Sequence, residues 1–147
     1  MKQARLAAIV LSKTTAWPTD PICASHARPR GDLRYSDAEK LPPVINNDDY
    51  RDGSPFVAPD ESYLLFVGGR RPDALGGDDI YISLRGRSGQ WTAPVNLGEP
   101  INSGSHDMCP IVSPDGKYFF FHSQRSGSSD IYWMDSGFLE SFRRTGI

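Results

Sequence analysis

The 147-residue sequence predicts an all-β fold made of two repeated, four-stranded antiparallel units. Three observations predict it. A long motif recurs about 55 residues after its first appearance. Short apolar and aromatic runs of strand length alternate with turn residues. The 14 glycines and 12 prolines imply many turns, yet stay below the roughly 25–30% of low-complexity, disordered chains.

The repeat comes first, because missing it would misread the whole fold. Residues 54–66 read SPFVAPDESYLLF, and residues 109–121 read CPIVSPDGKYFFF. Pro55, Val57, Pro59, Asp60, Tyr63 and Phe66 return as Pro110, Val112, Pro114, Asp115, Tyr118 and Phe121. Arg70 falls on Arg125 in the same register. Asp79-Ile80-Tyr81 returns as Asp130-Ile131-Tyr132 only 51 residues later, so the first copy carries a four-residue insertion in its loop. Upstream, Leu41, Ile45 and Asn46 match Leu97, Ile101 and Asn102 at an offset of 56.

Each unit then reads in order. Runs 54–58 and 109–113 begin beside proline and suit inner, buried strands. The turns Ala58-Pro59-Asp60-Glu61 and Ser113-Pro114-Asp115-Gly116 follow: proline presets the first central position, and aspartate bonds its own backbone. Runs 63–67 and 118–122 are aromatic strands of high β propensity. Glycine- and serine-rich loops lead to strands at 79–84 and 130–134. Residues 86–90 turn into a fourth strand from Trp91. Four short strands per unit describe a propeller-type blade. The units span about 33–88 and 89–142, after an irregular extension, 1–32, and before a tail, 143–147.

The residues PIVSPDGKYFFFHSQR at 110–125, with Asp130-Ile131-Tyr132, resemble the WD40-like PD40 β-propeller repeat of TolB-like proteins. The first copy departs from that pattern at Ala58 and Glu61. The segment Trp91…Pro94-Val95-Asn96-Leu97-Gly98…Ile101-Asn102 and the helix-like 138–142 are also similar. The resemblance covers about 33–142 and implies a propeller scaffold, a bacterial source and a periplasmic or envelope setting. It implies no particular function, since such scaffolds serve many. Two units cannot close a ring of about 4–8 blades. They form an incomplete arc, a ring of associated copies such as three chains giving six blades, or a compact sandwich. The last unit lacks an outer strand, and 33–41 offers an orphan one that could cover its exposed edge.

Composition and motifs exclude several classes. With 16 basic and 18 acidic residues the net charge is −2, unlike the basic surface of a nucleic-acid binder. No run approaches the roughly 20 apolar residues of a membrane helix. Cys23 and Cys109 make neither a disulfide framework nor a four-cysteine zinc site, and nothing in their contexts pairs them. Residues 1–31 hold five basic groups and one acid. The apolar run 6–11 is shorter than the roughly 7–15 residues of a secretory signal. It reads as a short strand or helical turn ahead of a proline-broken stretch. Nucleophile-elbow, zinc-helix, dinucleotide and phosphate-loop motifs are absent, and Ser113-Pro114-Asp115-Gly116 fails the sialidase Asp-box spacing.

The remaining polar residues have structural readings. Asp60 and Asp115 stabilise turns. Asp79 and Asp130 accept from loop amides or from Arg70 and Arg125. Asp73, Asp78 and Asp79 lack the alternation of a calcium loop. His122 reads as a hydrogen-bonded sheet residue. Trp91, Trp133, Tyr81 and Tyr132 read as core aromatics between sheets. Loops entering the inner strands line one mouth of a propeller, so Asp52, Arg70, His106, Asp107, Gln124 and Arg125 form a candidate binding rim. Trp91 and Trp133 are candidate sugar-stacking groups. The expectation is a non-enzymatic binding or scaffold protein without cofactor or metal, presenting loops to a protein partner and self-associating through blade faces. The alternative is a carbohydrate-binding module with aromatic pockets between blades. A propeller-type glycoside hydrolase ranks last, because no acid–base pair assembles from these residues.

Overall fold

The computed structural model describes residues 38–145. They form two antiparallel sheets and one short helix. The first sheet runs in the order β1 (Arg51–Val57), β2 (Tyr63–Gly69), β3 (Asp78–Leu84), β4 (Val95–Asn96). The second runs β5 (Asp107–Val112), β6 (Tyr118–Ser123), β7 (Asp130–Asp135). A 3-10 turn, Ser136–Phe138, and helix α1, Leu139–Thr145, follow.

Two expectations need correction. The units are not both four-stranded: the second sheet has three strands, with the outer strand of the last unit missing as its sequence implies, and after β7 Asp135 accepts the Gly137 N–H at 2.7 Å and turns the chain into the helical segment. The fourth strand of the first sheet is only two residues long, and Trp91 joins the sheet through an isolated bridge to Arg85. The inner strands also start earlier than expected. Each continues through a bulge centred before proline, between Gly53 and Phe56 and between Met108 and Ile111. Ser54 and Cys109 occupy these bulges with φ of 45° and 53°, and their side chains meet, Oγ to Sγ, at 3.8 Å. Repeat-related bulges thus touch across the joint. Residues 1–37, including the early apolar run, Cys23 and most of the orphan strand 33–41, lie outside the described residues. Leu41 itself packs on the first sheet.

The repeat is visible in register. Phe66 faces Tyr81, and Phe121 faces Tyr132. The tight turns match as well: Asp60 accepts the Ser62 N–H at 3.1 Å, and Asp115 accepts the Lys117 N–H at 3.2 Å. At the same turn position Gly116 has φ 74° and Glu61 has φ 57°. Glycine adopts that geometry freely, whereas glutamate is strained there.

Packing separates the two sheets' faces. Leu65, Ile80 and Ile82 point at Phe119 and Phe121 of the second sheet, with Leu97, Ile101 and Leu139 filling the gap. Leu64, Phe66 and Tyr81 point the other way and are covered by Ile45, flanked by Leu41, Val57 and Trp91. Each fully buried side chain contributes roughly 1.5–3 kcal/mol. Exposed ion pairs such as Lys40–Asp48 contribute at most about 1 kcal/mol, so burial dominates. The outward face of the second sheet is different. Tyr118, Ile131 and Trp133 are 41%, 78% and 65% exposed, and Trp133 meets Tyr118 edge-on at 5.5 Å. Trp133 is therefore not a core residue: strand alternation turns it away from the buried Phe119–Phe121 face, and none of the other described elements covers it.

The connector 97–102 joins the sheets. Its turn is closed by Ile101 and Asn102 N–H groups donating to the Gly98 carbonyl at 3.0 and 2.8 Å. Asn102 then acts as a one-residue strand. Its Oδ1 accepts the Ile80 N–H and its Nδ2 donates to the Ile80 carbonyl, both at 2.8 Å. At the opposite side of the joint the Gly77 N–H donates to the Ser105 carbonyl at 2.8 Å. A Cβ on Gly76 would sit 2.0 Å from that carbonyl oxygen. Gly76→Ala is accordingly expected to lower stability by about 1–3 kcal/mol through overpacking, read as an earlier urea midpoint. Gly104→Ala, where nothing lies within 4 Å, is the matched control and should shift the midpoint far less.

Candidate functional site

The loops before β1 and β5 and those after β2 and β6 gather at one end of the two sheets. The pairings Arg51–Gly69, Asp52–Gly68 and Asp107–Ser123 bring them there. Of the expected rim residues, Arg70, His106, Gln124 and Arg125 lie in these loops, and Asp52 and Asp107 lie at the starts of β1 and β5. The structure divides the rim residues into two groups, one building the fold and one facing outward.

Asp107 and Arg125 belong to the first group. Arg125 contacts Asp107 at 3.0 Å, donates to the Pro100 carbonyl at 2.6 Å and also to the Ile101 carbonyl, and its Nε donates to Ser123 Oγ at 2.8 Å. Its guanidinium lies 5.2 and 5.0 Å from the ring centres of Phe121 and Tyr132. The same clamp occurs in the first sheet, but the arginine is Arg71. It bonds Asp52 at 2.7 Å and the Ile45 carbonyl at 3.0 Å, and lies over Phe66, Tyr81 and Tyr50. The sequence register that equates Arg70 with Arg125 is thus one residue off. Arg70 is exposed, with φ 65°. Tyr81 and Tyr132 both seat a clamp guanidinium; Tyr132 packs on the core between the sheets as expected, whereas Tyr81 is buried on the far face of the first sheet.

The two clamps differ electrostatically. Burial disfavours the Asp107 charge, but hydrogen bonds from Ser123, Ser103 and Arg125 outweigh it and hold its carboxyl below the usual value. Burial pushes Asp52 the other way, and the Arg71 contact offsets only part of that. The cause is visible in the pairing: Asp107 sits opposite Ser123, Asp52 opposite Gly68. Gly68 also leaves Arg71 Nε buried without a hydrogen-bond partner, whereas Arg125 Nε has Ser123.

The outward group centres on a carboxylate that the sequence reading does not place in the rim. Asp78 contacts Arg51 Nη2 at 2.6 Å through one oxygen and His106 Nδ1 at 2.8 Å through the other. The Asp78 side chain is 12% exposed, while those of Arg51 and His106 are each 45% exposed. An ionised carboxylate only accepts, so Nδ1 carries the proton and Nε2 is the ring nitrogen left for an incoming group. Gly77 makes room for this ring, since a Cβ there would lie 2.4 Å from it. Gln124 is tied alongside by its N–H to the His106 carbonyl at 3.0 Å. Arg70 follows Gly69, whose backbone adjoins Asp78 and the Arg51 guanidinium. Asp78 opens β3 directly after the loop that carries the four-residue insertion, and the second copy has Ser129 at its position.

Other candidates behave differently. Asp79 accepts from the Leu75 and Gly76 N–H groups and from Asn96, and Asp130 accepts from Ser126 and Ser128 hydroxyls. Loop amides hold Asp79, as expected, whereas Asp130 is held by serine hydroxyls in place of the expected amides or arginine. Among the described residues no group of three His, Cys, Asp or Glu is arranged to hold a metal ion. Trp91 is half-buried beside Arg85, 5.6 Å from its guanidinium, on the far face of the first sheet. Trp133 lies on the open face of the second sheet, so one chain does not bring the two tryptophans into a shared pocket. His122, half-buried, lies on that same open face opposite Met108 and Ile131. No protein-family model matches the chain, and no solved structure matches it significantly.

Both clamps are testable. The Arg71–Asp52 pair is buried, at 7% and 6% exposure, so Asp52→Asn should cost about 3–5 kcal/mol by stranding the guanidinium, read by urea unfolding. Asp107 has a folded pKa below its unfolded value, so its contribution is present above about pH 3.9 and disappears as pH falls through the lower folded value. Stability measured from about pH 6 downward should therefore fall less steeply in Asp107→Asn than in the parent chain.

Proposed function

We propose that this chain is a non-enzymatic binding module of the propeller type whose loop end receives a protein partner. The carrying observation is the Arg51–Asp78–His106 cluster, half exposed at the mouth of two clamped sheets. Loops held by a rigid scaffold are where binding residues concentrate. Arg51 is oriented by Asp78 but keeps donors for a second acceptor, because a guanidinium has five N–H groups. Arg70 adds a second exposed guanidinium. His106 Nε2 and Gln124 supply further hydrogen-bonding groups beside them. The chemistry suits an acidic segment of a partner, since guanidinium forks pair with carboxylates. Asp52, Asp107 and Arg125 position this surface and do not face the partner.

A carbohydrate-binding reading is favoured by one observation, the 65% exposure of Trp133 beside Tyr118. Its flat open face suits stacking on a sugar ring.

One comparison separates the two. The full chain is titrated with acidic and basic peptides and screened on immobilised glycans. Acidic peptides should bind, and Arg51→Ala with Arg70→Ala should weaken them roughly tenfold or more, as loss of charge-assisted hydrogen bonds requires. Glycan binding abolished by Trp133→Ala, with peptide binding absent, would instead establish the carbohydrate reading.

A further inference from the structure

The joint between the two sheets has four parts. Tyr63, Leu65, Ile80 and Ile82 form one apolar face. Phe119 and Phe121 pack against it. Leu97 and Ile101 wedge between them. Asn102 and the Leu97 N–H bond to the Ile80 backbone beyond β4, the latter at 3.1 Å.

The repeat supplies a second copy of every part, and these copies do not meet within the chain. The counterparts of the first face are Tyr118, Phe120, Ile131 and Trp133, on the open side of the second sheet. The counterparts of Phe119 and Phe121 are Leu64 and Phe66, on the far side of the first sheet. Leu41 and Ile45 are the second wedge, and their turn is closed by the same bonds, Ile45 and Asn46 N–H groups to the Pro42 carbonyl at 2.9 and 3.0 Å.

Asn46 is the counterpart of Asn102, yet its situation differs. Both are buried, at 8% and 1% exposure. Asn102 makes side-chain bonds to Ile80 N–H, Ile80 carbonyl and Asn96. Among the described residues the Asn46 amide makes one bond, to the Leu41 carbonyl at 3.4 Å. The strand residue it lacks is the counterpart of Ile80, which is Ile131. Ile80 lies opposite Val67, and Ile131 lies opposite His122 in the matching register. In an antiparallel ladder both backbone groups of such a residue point the same way. Ile80 directs them away from β2, to Asn102 and Leu97. Ile131 directs them away from β6, to the edge of β7 that no described strand pairs.

We propose that the open face and β7 edge of one chain receive the Leu41–Asn46 end of a second copy, head to tail, with Asn46 gripping the Ile131 backbone. The occupant is a second copy because the two unmated halves complement each other part by part, from wedge to amide. The exposed aromatic face is also of the kind that marks an interaction surface. This contact is heterologous, so copies join in a ring or an open chain. The inference stands apart from the loop-end reading, because it uses neither Arg70 nor His106.

The test is light scattering of the 147-residue chain on a sizing column over a range of concentrations. The parent chain should show a multiple of 16.3 kDa. Trp133→Arg should give the 16.3 kDa species with an unchanged far-ultraviolet spectrum, because this side chain is already exposed. Asn46→Ala should weaken association roughly tenfold. A parent chain that stays at 16.3 kDa at every concentration overturns the proposal, as does a multimer that Trp133→Arg leaves intact, which would assign association to another surface. Acidic-peptide binding by the single-chain Trp133→Arg variant reads the loop-end proposal separately.

Discussion

An arginine that ties a connector to the sheet beneath it is the interaction on which the rest of the structure depends. The connector 97–102 buries Leu97 and Ile101 between the sheets, but its backbone crosses the rim outside any strand. Buried backbone groups need partners. Arg125 supplies them to the carbonyls of Pro100 and Ile101, Asp107 balances its charge, and Phe121 and Tyr132 seat the guanidinium. Arg71 does the same for Ile45 with Asp52, Phe66 and Tyr81. The wedge stays in place because its polar backbone is satisfied at the same point where its apolar side chains are buried.

The two clamps are unequal, and the inequality falls where the outward cluster lies. In the second sheet serines complete the network around Asp107. In the first, Gly68 replaces the serine, Asp52 is held less favourably, and Arg71 Nε has no partner. The same sheet carries the inserted loop with Gly76 and Gly77, which leads into Asp78 at the start of β3. Local consistency is weaker in the unit that carries Arg51, Arg70 and Asp78.

Much of the architecture was legible in the sequence. The 56-residue offset singled out Leu41, Ile45 and Asn46 with Leu97, Ile101 and Asn102, and Ile45, Asn46, Leu97, Ile101 and Asn102 are all buried. Paired Asp-stabilised turns and the aromatic strands also stand where the motifs put them. What was not legible depends on packing across the chain. The insertion shifts the clamp from Arg70 to Arg71, and only the aromatic seat decides which arginine fills it. Bulges carry β1 and β5 past residues that resemble strand boundaries. Trp133 has the alternation of a core residue, but alternation cannot say whether a face has a neighbour. Asp78 has Ser129 as its repeat partner, so the repeat holds no second carboxylate to reveal it.

Hydrogen exchange on the Arg125→Lys chain tests the clamp most directly. Lysine keeps the charge but loses the fork that reaches two carbonyls and a carboxylate together. The account predicts faster exchange first at the Ile101, Asn102 and Ile80 amides, with both sheets losing protection together. Exchange unchanged at these amides, or loosening confined to the second sheet, would contradict it.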